Sequence, residues 1–185
     1  MPTRRPKPSR LVTIESPYRA DTQAGIVRNI TFARQICRIA VLHGYAPYAS
    51  HLFYTQTGIL EDSIPEERWL GMQAGLEWSS LSQEVWYCSR FGERMSLGML
   101  EAFKRHVGEG LMVRSLQFVQ DDAGMIASRS EQDAMWLASE VADKIAVPVG
   151  FREQARRCAA VEPLPFMRSD KFAYYEQPHA EVPSD

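Results

Sequence analysis

Residues 96–101 read SLGMLE and follow a β-rich run, EVWYCSR, after one short loop, FGERM. Serine, glycine and glutamate within six residues at a strand-to-helix junction can hold an anion and present a carboxylate to it. Ser96 is of the type that caps a helix, and the unpaired N–H groups of a first helical turn favour negative charge. Gly98 puts no side chain where a ligand would approach. Met99 follows on the same turn, as core packing or as a ligand contact. Glu101 lies one turn further in, either as a carboxylate placed for chemistry or as a rim residue of an amphipathic helix.

Two other stretches carry comparable chemistry. In IESPYRAD (14–21), a proline-stiffened loop holds Ser16, Pro17, Tyr18 and Arg19. Its ring suits a base or sugar face and its guanidinium suits a phosphate or carboxylate, although a plain turn with a surface arginine reads equally well. In APYASHL (46–52), His51 is either a donor to a ligand hydroxyl or a satisfied structural histidine. Asn29, close in sequence to the first of these loops, joins the candidates, and Glu84 precedes the run EVWYCSR. If Glu84 stands at the N-terminal end of a strand, it is too far away to help.

Elements of alternating type must position these residues. RLVTIESPY predicts a first strand, followed by a helix with Ile26, Ile30, Ala33, Cys37 and Ala40 on one face and Gly44 at its end. YAPYASHLF predicts a second strand, irregular or at an edge because of Pro47. SIPEERWLGMQAGLEW predicts a helix with Ser63 as N-cap, Pro65 in the first turn, Glu66 completing a capping box, and Trp69, Met72 and Leu76 repeating at helical spacing. EVWYCSR is a third strand, the segment from Ser96 to His106 a third helix, and LMVRSLQFV a fourth strand. After the turn-like DDAG, a last helix carries Ala134, Leu137, Ala138, Val141 and Ile145 on one face.

Strands alternating with helices imply an α/β fold. The expected architecture is an open, mostly parallel, doubly wound sheet of about four or five strands, a three-layer Rossmann- or flavodoxin-like arrangement. Ligands of such sheets sit at the carboxyl ends of the strands, where the three stretches lie. One domain over residues 11–150 is expected, with a disordered basic arm at 1–10 and an extended tail at 151–185 rich in proline and aromatic residues.

Composition narrows the function classes. A net charge of −2 with 24% charged residues gives no drive toward nucleic acid. No apolar run approaches the roughly 20 residues that span a bilayer, and the basic N-terminus lacks the apolar stretch of a secretory signal. Three widely spaced cysteines argue against a disulfide framework and fit a cytoplasmic location. Four scattered histidines give no metal-ligand spacing, and neither G-x-G-x-x-G nor a P-loop is present. No cofactor is expected.

Together IESPYRAD, APYASHL, SQEVWYC and MSLGMLEAF resemble the nucleoside 2-deoxyribosyltransferase superfamily, particularly its 2′-deoxynucleoside 5′-monophosphate N-hydrolase branch. The resemblance covers roughly residues 10–120, and the first half of the chain is also similar to small uncharacterised proteins carried by bacteriophages. It implies an N-glycosidase or deoxyribosyltransferase acting on a nucleoside or nucleotide. Glu101 would be the nucleophile at C1′ and Glu84 would stand at the family's acidic position. Ser96 and its helix start would hold a 5′-phosphate, and Tyr18, Arg19, Asn29 and His51 would contour the sugar and base pocket. It further implies a homo-oligomer. Two departures are visible: Glu101 lies five residues after Ser96 where the family has six, leaving Ala102 at the usual place, and Glu84 replaces an aspartate. The alternative reading is a non-catalytic nucleotide-binding protein on the same scaffold.

Overall fold

Strands and helices alternate along the chain, and the sheet they build is open and mostly parallel. The computed structural model describes residues 10–121, 124–128 and 133–159, with 120–121, 124–128 and 133–136 described by backbone alone. The elements are β1 (Arg10–Glu15), α1 (Gln23–Leu42), β2 (Tyr45–Tyr48), α2 (Ser50–Tyr54), α3 (Pro65–Ser79) and β3 (Glu84–Arg90). They continue with α4 (Leu97–Gly108), β4 (Val113–Asp121), β5 (Gly124–Ser128), α5 (Asp133–Lys144) and α6 (Phe151–Cys158). The strand order is β2-β1-β3-β4-β5. The first four strands run parallel, and β5 returns antiparallel to β4. In this order the chain leaves β1 toward β2 on one side and comes back to β3 on the other. The crevice beyond the carboxyl ends of β1 and β3 is therefore the switch point where such sheets take ligands.

Each sheet face has its own core. Val12 and Ile14 of β1, with Trp86 and Cys88 of β3, pack against Phe32, Ile36, Ile39 and Ala40 of α1. On the opposite face Val85 and Tyr87 pack against Leu100, Phe103 and Val107 of α4, Leu137 and Val141 of α5, and Phe151 and Ala155 of α6. Strand alternation sends odd and even positions of β1 and β3 to these two layers. Register then pairs Val12 with Glu84 and Glu15 with Tyr87.

Several local expectations shift. The buried stripe of α1 runs through Asn29, Phe32, Ala33, Ile36, Ile39 and Ala40, while Ile26, Ile30 and Cys37 flank it half-buried. The second strand ends at Tyr48, and His51 lies in the short helix α2. Pro47 sits in β2, an edge strand. Ser63 does not cap α3: Ile64 holds the N-cap position without a side-chain hydrogen bond, and Pro65 opens the helix. Trp69, Leu70, Met72 and Trp78 of that helix are exposed, and only Gly75 and Ser79 are buried. Strand β5 answers to no predicted element. Residues 151–158, expected as extended tail, form α6, and Phe151, Ala155 and Cys158 are buried. Ala159 bridges to Val113, so the sheet layer continues past the expected boundary. Arg10, placed in the arm, begins β1; residues 1–9, 160–185 and the side chains of Ala134 and Trp136 lie outside the described residues. Among the described residues, no helix is long and apolar enough to cross a membrane.

Candidate functional site

A cleft of about 600 Å³ opens beyond the carboxyl end of β1, beside the start of the helix that follows β3, and is walled by α2, α3 and α4. Ser16, Tyr18, Arg19, His51, Ser96, Gly98, Met99 and Glu101 all reach it, so residues from all three stretches converge. Gly75 makes one wall possible. A Cβ there would lie 2.7 Å from Ser50 Cβ, so α3 can lean on α2 only with glycine at that position.

The loop after β1 is held from behind. Asn29 is buried, and its Nδ2 donates to the carbonyls of Tyr18 at 3.0 Å and Arg19 at 3.3 Å. Its Oδ1 accepts from Arg90 Nη1 at 3.2 Å. Asn29 therefore positions the loop and is not part of the cleft lining, and Pro17 is also absent from that lining. Ser16 Oγ and His51 Nε2 are hydrogen-bonded at 3.1 Å, and burial lowers the His51 pKa to about 4. His51 thus enters the cleft as a neutral ring that can donate or accept, not as a cation.

The opposite wall begins at α4. Ser96 caps the helix, its Oγ accepting from Met99 N at 3.3 Å. A Cβ on Gly98 would meet Arg68 Nη2 at 3.9 Å, an ordinary contact. Steric need does not explain this glycine, and what it leaves is an open face toward the Arg68 guanidinium. Arg68 and Arg19 both pair with Asp62, the latter at 3.0 Å. Glu67 stands in the same corner, its carboxylate accepting from Glu61 N at 2.6 Å, so two guanidiniums face two carboxylates. Glu101 is half-exposed on the rim and pairs with Lys104 Nζ at 3.3 Å. Ala102, next along the helix, also lines the cleft.

Glu84 lies elsewhere. It is the first residue of β3, on the face covered by α1, with its register partner Val12 three residues before Glu15. Its carboxylate accepts from Arg114 Nε at 2.6 Å, Trp86 Nε1 at 3.0 Å and Arg10 Nη1 at 2.9 Å. Burial pushes its pKa up, but the Arg114 and Trp86 hydrogen bonds and the charges of Arg114 and Arg10 outweigh this and hold it below the usual range. The expectation of Glu84 as the second catalytic acid is corrected: wrong end of the strand, wrong face, and engaged in a buried ion pair.

The sequence reading passes over Glu15, which stands in the cleft. It ends β1 on the face opposite Val12 and Ile14 and lines the floor. No hydrogen bond or ion pair reaches its carboxyl among the described residues, and burial raises its pKa to about 7. The signal is present in the sequence: Val12 and Ile14 alternate with Thr13 and Glu15, so a lone acid ends an apolar strand at a loop already marked for chemistry. Arg68, Asp62, Tyr54 and Glu67 are further lining residues that the sequence does not single out.

Residues 10–116 match the model of a family described as Domain of unknown function (DUF7768). That span exceeds half of the chain and includes β1 through α4, hence every residue placed in the cleft. The chain belongs to this family. Neither the curated proteins nor the solved structures contain a match.

Proposed function

We propose that this family member cleaves the N-glycosidic bond of a nucleoside or nucleoside 5′-monophosphate, as an N-glycosidase or a deoxyribosyltransferase. The observation that carries the reading is convergence. Three stretches far apart in sequence supply an aromatic ring, an arginine, a neutral histidine, a capped helix start and a carboxylate to one cleft at the sheet's switch point. About 600 Å³ is within the range of small-ligand sites. The kinship with the nucleoside 2-deoxyribosyltransferase superfamily belongs to the same proposal.

In this scheme Tyr18 and His51 border the base and sugar, while Ser96, the α4 start and Arg68 attract the 5′-phosphate. A Glu101 oxygen attacks C1′ and the C1′–N electron pair leaves with the base. Water or a second base then attacks C1′ and frees the Glu101 carboxylate. Incubation with a panel of deoxynucleosides and their monophosphates should release free base, detected by chromatography, and Glu101→Gln should stop the release while the fold persists. If no base appears from any member of the panel, the reading fails.

One observation favours a second reading. Glu101 is half-exposed and ion-paired with Lys104, and Ala102 stands where the nucleoside 2-deoxyribosyltransferase superfamily has its glutamate, which suits a nucleotide-binding protein without turnover. Nucleotides would then raise the melting temperature with no base released. The proposed homo-oligomer would use the apolar surface of α3, where Trp69 is 58% and Trp78 51% exposed. A monomer by sedimentation would remove that part.

A further inference from the structure

The cleft reading needs a proton donor for the departing base, and Glu84 cannot serve. We infer that Glu15 is the general acid of this cleft, delivering its carboxyl proton to the base as the C1′–N bond breaks. The inference rests on the N-glycosidase reading above.

Three features of the molecule support this role. Glu15 lies at the carboxyl end of β1, at the β1/β3 switch point, on the cleft floor. It has no partner among the described residues, whereas Glu84 at the other end of the sheet is held by Arg10, Arg114 and Trp86. A carboxyl left without a partner at a cleft floor is unexplained by folding, because burying it costs stability that no contact restores. Its surroundings also suit the protonated form. Register places Tyr48 beside Thr13, on the Glu15 face, and the Tyr48 hydroxyl is itself buried without a hydrogen bond. Among the described residues no cation pairs with Glu15, and Arg19 and Arg68 of the cleft lining pair with Asp62. A carboxyl whose pKa stands at about 7 keeps its proton in much of the protein at neutral pH and can release it to a stronger base.

The C1′–N electron pair stays on the base, which takes the Glu15 proton at a ring nitrogen or carbonyl oxygen, leaving Glu15 as carboxylate. C1′ is bonded to Glu101. When water attacks C1′, the C1′–O bond to Glu101 breaks and Glu15 accepts the water's proton, restoring both groups. The acid enters from the strand floor and the nucleophile from the α4 wall.

The test compares leaving groups. A deoxynucleoside leaves poorly without a proton, whereas a nitrophenyl deoxyriboside expels nitrophenolate unaided. Glu15→Gln should lower kcat/KM for the nucleoside by about 100-fold or more and change that for the nitrophenyl substrate by less than about threefold. Glu15→Asp keeps a proton but withdraws it by one methylene, so it should show a smaller loss on the nucleoside alone. Glu101→Gln should lose both substrates. Equal losses on the two substrates, or no loss, in the Glu15 variants would overturn the assignment while base release by the native protein upheld the reading of the site. Native protein that cleaves neither substrate would overturn both.

Discussion

Replacing Glu15 by glutamine should stabilise the protein at pH 8 and leave it almost unchanged at pH 4.5. The isosteric amide keeps the shape of the cleft floor and removes only the ionisation. In the unfolded chain the Glu15 proton leaves near 4.5, whereas the folded chain keeps it until about 7. Between these values the folded state binds more protons, so stability falls as pH rises through the window. The Glu15 contribution is whole below about 4.5 and gone above about 7. A shift of that size corresponds to about 3 kcal/mol. Glu15 is only half-buried, and water entering the cleft trims the effect to about 2 kcal/mol. For a chain of this length, that amounts to a melting temperature about 4–8 °C higher for Glu15→Gln at pH 8. Thermal unfolding of both proteins from pH 4.5 to 8.5 reads the difference directly, and all other titrating groups cancel between them. A gap that is constant across pH, or a glutamine variant less stable at pH 8, would refute the claim that an unpaired, half-buried carboxyl strains the native state. The expected gain in stability with loss of function is the usual mark of a residue kept for activity.

Other consequences can be measured on the same protein. Glu84→Ala removes the carboxylate that accepts from Arg114, Trp86 and Arg10 and should cost about 3–5 kcal/mol in denaturant unfolding, with nucleotide-induced stabilisation retained by the folded fraction. Gly75→Ala should gain the helical preference of alanine yet lose about 1–2 kcal/mol net, because its Cβ would sit 2.7 Å from Ser50 Cβ; adding Ser50→Gly should recover most of the loss. His106 is buried between Ser79 Oγ, 2.8 Å from Nε2, and the Tyr87 hydroxyl, and burial lowers its pKa to about 4. The unfolded chain protonates this histidine first as pH falls below 6.5, so stability drops on acidification; the stability gap between native protein and His106→Gln should shrink from pH 7.5 to pH 4.5 in calorimetry.

How much was legible in the sequence varies with how local the signal is. Helix α4 is foretold almost to the residue because Ser96 caps it and its own apolar spacing defines a buried face. Strand β3 is a run of buried residues that no other element could house. The capping box at Ser63 fails because Pro65 fixes the helix start one residue later than the box requires. His51 leaves the strand because α2 folds back, with His51 reaching Ser16 and Ser50 meeting Gly75, contacts made 35 and 25 residues away. Helix α6 escapes notice because its eight residues include only three buried ones and derive their place from α4 and α5.

By itself the chain's order of β-rich and helical stretches determines a mostly parallel α/β sheet and marks which loops end its strands, because periodicity and caps are local properties. Only the tertiary structure decides which carboxylate is chemically free. Glu15 and Glu84 are both acids at the ends of buried strands. Strand direction, face and register give one of them two arginines and a tryptophan, and leave the other alone at the bottom of a cleft. A pKa follows from neighbours distant in sequence, and those neighbours exist only once the chain has folded.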